Sequence, residues 1–193
     1  MKNIVKLLVS STFLISFSGH ATQTTAENIV AQINLGAVYT NVNDYKGSGF
    51  KASAKINFPM GNDDLNFYGK LSQQTSHDEK QSNNFYFDES ELSLGISYNI
   101  THEHRVFLEG GNIKQNFEQN EQGLWKDYLS VIRIGTQIQQ DNFNIQVALE
   151  QRDGIKSDTG YNTCVTFFEN RIRISYTDVG NYQSLGLSFQ ASF

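Results

Sequence analysis

The chain has 193 residues, 15 basic and 20 acidic side chains, and a mean hydropathy of −0.43. An acidic balance argues against a nucleic-acid partner, which would favour a basic surface patch. Cys164 is the single cysteine, so no intrachain disulfide can form. Pro59 is the single proline, and near absence of proline suits a chain built mostly of strands.

Residues 1–21 read as a removable export signal. Lys2 and Lys6 give a positive start, an apolar stretch runs through Leu7–Val9 and Phe13–Phe17, and Gly19-His20-Ala21 places small residues at the cleavage positions. The mature domain is then residues 22–193. Without Lys2 and Lys6 its 15 basic residues become 13 against 20 acidic ones, a net charge of −7. It holds no run of about 18 apolar residues, so no helix in it can span a bilayer.

From there on the hydrophobic period is two. Ile29, Ala31, Ile33, Leu35, Ala37 and Tyr39 alternate with polar residues and glycine. So do Phe50 to Phe58, Leu92 to Tyr98, Ile132 to Ile138, Phe143 to Leu149, Ile172 to Tyr176 and Leu185 to Phe193. The predicted strands are 28–42, 48–58, 64–75, 85–99, 104–116, 127–139, 142–152, 160–168, 171–178 and 182–193. Short turn signals lie at Pro59-Met60-Gly61-Asn62-Asp63, at Asn99–His104 and at Gln140-Asp141-Asn142. Longer polar stretches, Ser76–Asn84, Phe117–Lys126 and Arg152–Gly160, read as loops of the opposite end. The expected fold is all-β: a closed antiparallel up-and-down transmembrane β-barrel of 8–10 strands, with ten favoured. Were residues 153–170 one long loop instead of a strand and a turn at Glu169-Asn170, the count would be eight.

Period two alone does not say which face meets lipid. The face opposite the apolar one carries Lys51, Lys55, Lys70, Glu91, Glu109, Arg133, Glu150, Arg152, Arg171 and Arg173. In a narrow barrel these charges must pair with one another or meet water. Tyr39, Phe58, Tyr86, Tyr98, Tyr128, Phe143 and Tyr176 fall near strand ends, where the aromatic girdles of membrane barrels sit.

The segment 171–193, RIRISYTDVGNYQSLGLSFQASF, resembles the last hairpin of small OmpA-like or opacity-type outer-membrane proteins. Leu94–Leu108 is similar to an inner hairpin of the same group. The resemblance implies location in the outer membrane of a Gram-negative bacterium, among outer-membrane lipid and lipopolysaccharide. It also implies that Leu185, Leu187, Phe189 and the terminal Phe193 address the barrel-assembly machinery. The group is functionally mixed and its usual strand count is eight.

The search for chemistry yields no catalytic, cofactor or metal site, and the chain is expected not to be an enzyme. His102-Glu103-His104 lie in a turn, and two histidines fall short of a metal site. His77 sits beside Ser76, Asp78 and Glu79 in an expected outer loop, but sequence neighbours on one loop rarely converge as a triad does. Asp44, Asp78, Glu79, Asp88, Glu89, Glu118 and Glu121 are expected around the outer rim as solvated acids, with bridging cations the sharper option. The role that follows is structural, surface-interactive or adhesive, with an extracellular ligand reached through the outer loops. A narrow channel with mild anion preference and a lipid-modifying or proteolytic barrel are the alternatives. A soluble barrel around an apolar ligand is a further one.

Overall fold

The computed structural model describes residues 29–60, 62–78, 85–119, 123–140 and 142–193. The export signal at 1–21, Glu79, Glu121, and Gly61 and Asp141 of the expected turns lie outside the described residues.

Ten strands follow in order: β1 Val30–Val42, β2 Tyr45–Met60, β3 Asn62–Asp78, β4 Phe85–Asn99, β5 His104–Gln119, β6 Gly123–Gln139, β7 Phe143–Asp153, β8 Ser157–Phe167, β9 Ile172–Val179 and β10 Tyr182–Ser192. Each pairs antiparallel with its sequence neighbour, and β1 pairs with β10 to close the barrel. At the seam the backbone N–H of Phe193 donates to Ala31 O at 2.9 Å, and Ala31 N–H returns a bond at 3.1 Å. Closure leaves no open sheet edge, which a bilayer would not tolerate.

The ends of the barrel differ. The terminal end carries residue 30, residue 192, the β2–β3 and β6–β7 junctions, and the connections 100–103 and 168–171. The β8–β9 turn holds Phe168, Glu169 and Asn170 with φ of 53°, 57° and 64°, so the turn expected at Glu169-Asn170 is present and the count is ten. At the distal end Asn43 and Asp44 take φ of 49° and 70°, the mirror-image turn whose twist matches a two-residue hairpin. Pro59 lies where the β2–β3 register shifts, at a strand end where its missing N–H is tolerated.

Among the described residues the strands extend into the stretches expected to be distal loops. β3 continues through Asp78, β5 through Gln119, and β6 starts at Gly123, while only residues 154–156 join β7 to β8. The stretches 117–126 and 152–160 are mostly strand. The outer faces of these strand ends are polar, so the apolar alternation stops there, which reads locally as loop. The barrel is therefore lopsided. β2–β6 run 15–17 residues, β7–β10 only 8–11. At roughly 3.3 Å per residue and a tilt near 40°, the long wall stands about 40 Å tall, against about 25 Å for the apolar band of a membrane barrel.

Candidate functional site

The burial pattern is inverted relative to a soluble barrel. Leu92, Leu94, Leu108, Ile132, Ile134, Leu149, Leu185, Leu187 and Phe189 are each at least half exposed, on five different strands. Glu89, Glu91, Glu109, Arg133, Glu150 and Arg152 are all at most 5 % exposed. The aromatic residues expected at the girdles do face outward: Tyr39, Phe58, Tyr86, Tyr98 and Tyr128 are exposed, and Tyr161 packs on Tyr176 at 5.8 Å between ring centroids.

Inside, the lumen is stacked in layers. At the distal end Val42, Phe85, Phe87 and Tyr182 form an apolar cluster, with Tyr45 and Phe117 packed against it. The rings of Phe85 and Phe117 stack at 5.7 Å, and Tyr45 meets Phe117 edge-on at 5.4 Å. Alternation along β4 points both Phe85 and Phe87 inward.

Beneath this plug lies an ionic layer. Arg133 on β6 donates Nε–H to Glu150 Oε2 at 2.7 Å and Nη1–H to both Glu91 and Glu109. Lys70 on β3 bonds the same two glutamates, at 3.0 Å and 3.4 Å. Arg152 on β7 joins Glu150 at 2.6 Å and Glu89 at 3.0 Å, and its guanidinium lies 4.2 Å from the Tyr182 ring centroid. Gln115 donates to Glu89 at 2.8 Å, and Gln74 donates to Thr40, whose hydroxyl also meets Ser76 at 2.8 Å. Three cations and four carboxylates thus satisfy one another across the bore. Buried charge persists only when paired and hydrogen-bonded in this way.

On the terminal side of that layer the lumen opens into a cavity of about 190 Å³, whose lining includes Lys51, Lys55, Arg105, Arg173, Asn34, Asn162, Cys164 and Gln190. Gln139 and Asn170, at the terminal rim, line it too. Cys164 is a free, buried thiol on β8.

Nine of the ten charges expected on the inner face are there. Arg171 is not: it lies in the β8–β9 turn, exposed, and pairs loosely with Glu169 at 3.7 Å. Glu89 corrects the expected acidic rim, since it is buried in the lumen. Its sequence parity with Glu91 held that signal, as did the parity of Phe85 and Phe87. His77 is on strand β3, not in a loop, and faces out, whereas Ser76 faces in. Side chains on opposite faces of one strand cannot form a nucleophile–base pair. His102 and His104 are exposed at the terminal rim, and no group of three metal ligands occurs among the described residues.

No protein-family model matches the chain, and no curated protein matches it. Among solved structures it is similar to Ail of Yersinia pestis in complex with the heparin analogue sucrose octasulfate. Identity there is 15 %, over 85 % of this chain and 99 % of that one, with a TM-score of 0.48. It is similar to Neisserial surface protein A at 11 % identity, over 85 % and 95 % of the two chains, with a TM-score of 0.43. The N-terminal barrel domain of OprF from Pseudomonas aeruginosa matches at 16 % identity over 83 % and 97 %, with a TM-score of 0.40.

Proposed function

We propose that the chain is a small barrel of the Gram-negative outer membrane with a structural and surface-interaction role, neither a conducting pore nor an enzyme. The inverted burial carries this reading: an apolar belt outside, and a charge network inside that crosses the bore from β3 and β4 to β7. Water would meet that belt at great cost, and lipid tails would meet it at none.

The lumen supports the non-conducting part. An aromatic plug and a saturated ionic layer lie in series, and an eight- to ten-stranded bore is narrow enough for side chains to fill. With both termini periplasmic, the distal end faces outward and the β3–β6 wall rises past the belt. Gln73, Ser90, Lys114 and Tyr128 are exposed on its outer surface. That wall, in place of long loops, is the surface offered to lipopolysaccharide or to an extracellular ligand. Phe193, at the seam, is the proposed contact for the barrel-assembly machinery.

The test is expression of the full chain in a Gram-negative host, followed by membrane fractionation, electrophoresis of boiled and unboiled samples, and planar-bilayer recording. The expected result is an outer-membrane band whose mobility shifts on boiling and no single-channel steps. A soluble, unshifted protein overturns the membrane reading. Regular conductance steps overturn the closed lumen in favour of a channel.

A further inference from the structure

The lumen charges do not balance. Lys51, Lys55, Lys70, Arg105, Arg133, Arg152 and Arg173 are seven cations, and Glu89, Glu91, Glu109 and Glu150 are four carboxylates. The four acids are already engaged by Lys70, Arg133 and Arg152. The surplus lies in the cavity on the terminal side. Among the described residues no ion pair joins Lys51, Lys55 or Arg173 to a carboxylate.

The register brings these cations together. Lys51 on β2 pairs with Gly36 on β1, Gly36 with Ser188 on β10, and Ser188 with Arg173 on β9. Between the two cations stand a residue without a side chain and one with a hydroxymethyl, so both long side chains overlook the same open floor. Lys55 is the direct cross-strand partner of Lys70, and like charges so placed repel. Lys70 is relieved by Glu91 and Glu109. Among the described residues the partner of Lys55 is the Tyr68 ring, 3.9 Å from its Nζ.

We propose that this blind-ended cavity binds a small free oxyanion of the phosphate class, held by Lys51, Lys55 and Arg173. Three cations without an ion-pair partner among the described residues, in a recess whose one lining carboxylate, Glu109, is already bonded by Lys70 and Arg133, favour a polyvalent anion over a monovalent one. Arg173 remains charged at every physiological pH and offers a planar fork that matches two oxyanion oxygens. Asn34, Asn162 and Gln190 supply amide donors around the same space. About 190 Å³ takes a tetrahedral oxyanion or a small phosphomonoester and excludes a polymer. Entry is from the terminal end, because the ionic layer and the plug close the other side. That this end is periplasmic rests on the function proposed above, whereas binding itself does not.

The experiment is isothermal titration calorimetry of the folded, detergent-solubilised barrel with inorganic phosphate, glycerol phosphate and chloride at matched ionic strength. Thermal unfolding under the same conditions gives a second readout. Saturable binding of either phosphate compound, with a rise in midpoint that chloride does not give, is the expected result. Lys51→Gln and Arg173→Gln should each weaken binding about tenfold, and the exposed Lys46→Gln should leave it unchanged. Equal effects of chloride, or undiminished binding in both cavity variants, overturn the proposal. If a cavity variant fails to fold, the wild-type comparison of phosphate with chloride decides alone. Because the assay uses folded protein wherever it came from, a soluble location would sink the membrane reading and leave this result standing.

Discussion

Glu89 on β4 and Arg152 on β7, sixty-three residues apart in sequence, meet across the bore with Arg152 Nη1 3.0 Å from Glu89 Oε2. Both are buried. The contact links the long wall to the short one, so the lumen is cross-braced instead of hollow. Removing Arg152 strands the buried Glu89 carboxylate, at a cost of about 3–5 kcal/mol, whereas removing Glu89 leaves Arg152 paired with Glu150. Arg152→Met should therefore lower unfolding free energy by that order and Glu89→Gln by less, and the double variant should recover a large part of the Arg152→Met loss. A double-mutant cycle from urea titrations of the barrel in lipid vesicles checks this. Additive single effects would show that the pair does not couple the walls.

The plug makes a separate demand. Phe87 has no exposed surface and packs on Tyr182 at 5.9 Å between centroids. Its truncation to alanine leaves a cavity between the distal rim and the ionic layer, and such truncations cost about 3–5 kcal/mol. The same titration should show that loss for Phe87→Ala. Conductance should stay absent, because the ionic layer lies in series beneath. Channel steps in Phe87→Ala alone would mean that the plug is the only barrier.

Much of this was legible from parity, and the failures share one cause. Leu92 to Tyr98 assigns the outer face of β4, and counting back by twos puts Glu91, Glu89, Phe87 and Phe85 inward. Composition puts Glu89 on the rim, because the acidic cluster of Asp88, Glu89 and Glu91 adjoins an expected loop, whereas parity puts it inside. Ser76–Asp78 and Phe117–Gln119 read as loop for the same reason: beyond an apolar belt the outer face turns polar and the alternation vanishes, though pairing such as Phe85 with Gln119 continues. Arg171 has the parity of Arg173, yet the left-handed turn at 168–170 holds it outside β9. No local signal could show which lumen cations find carboxylates, since Arg133 meets Glu91 from 42 residues away.

The depth of the outer face gives a third prediction. Leu94 is 55 % exposed in the middle of the β4 belt, and Ser90 lies four residues nearer the distal end, paired with Gln73 and Lys114. In a bilayer, arginine at the midplane of a barrel costs about 2–4 kcal/mol, falling to about 0–1 near the interface. Leu94→Arg should destabilise the vesicle-refolded barrel by the larger amount and Ser90→Arg by the smaller. Equal, small effects would place Leu94 in water and argue against a lipid belt.

A last prediction concerns Gly95 and Tyr68. Gly95 on β4 is the register partner of Tyr68 on β3 and of Glu109 on β5. A Cβ added at Gly95 would stand 2.2 Å from Tyr68 Cζ and 2.5 Å from its hydroxyl oxygen. The ring of Tyr68 thus lies over the space that a side chain at 95 would fill, between the ionic layer and the face of Lys55. Tyr68 is itself buried, so the ring cannot swing into solvent. Overpacking of this kind costs about 1–3 kcal/mol. Gly95→Ala should lose that much stability, and Tyr68→Ala should lose more by leaving a void. Combined, they should cost less than the sum, since the new methyl group enters the space the ring has left. Strict additivity in the unfolding titration would show that Tyr68 does not occupy that space in the folded barrel.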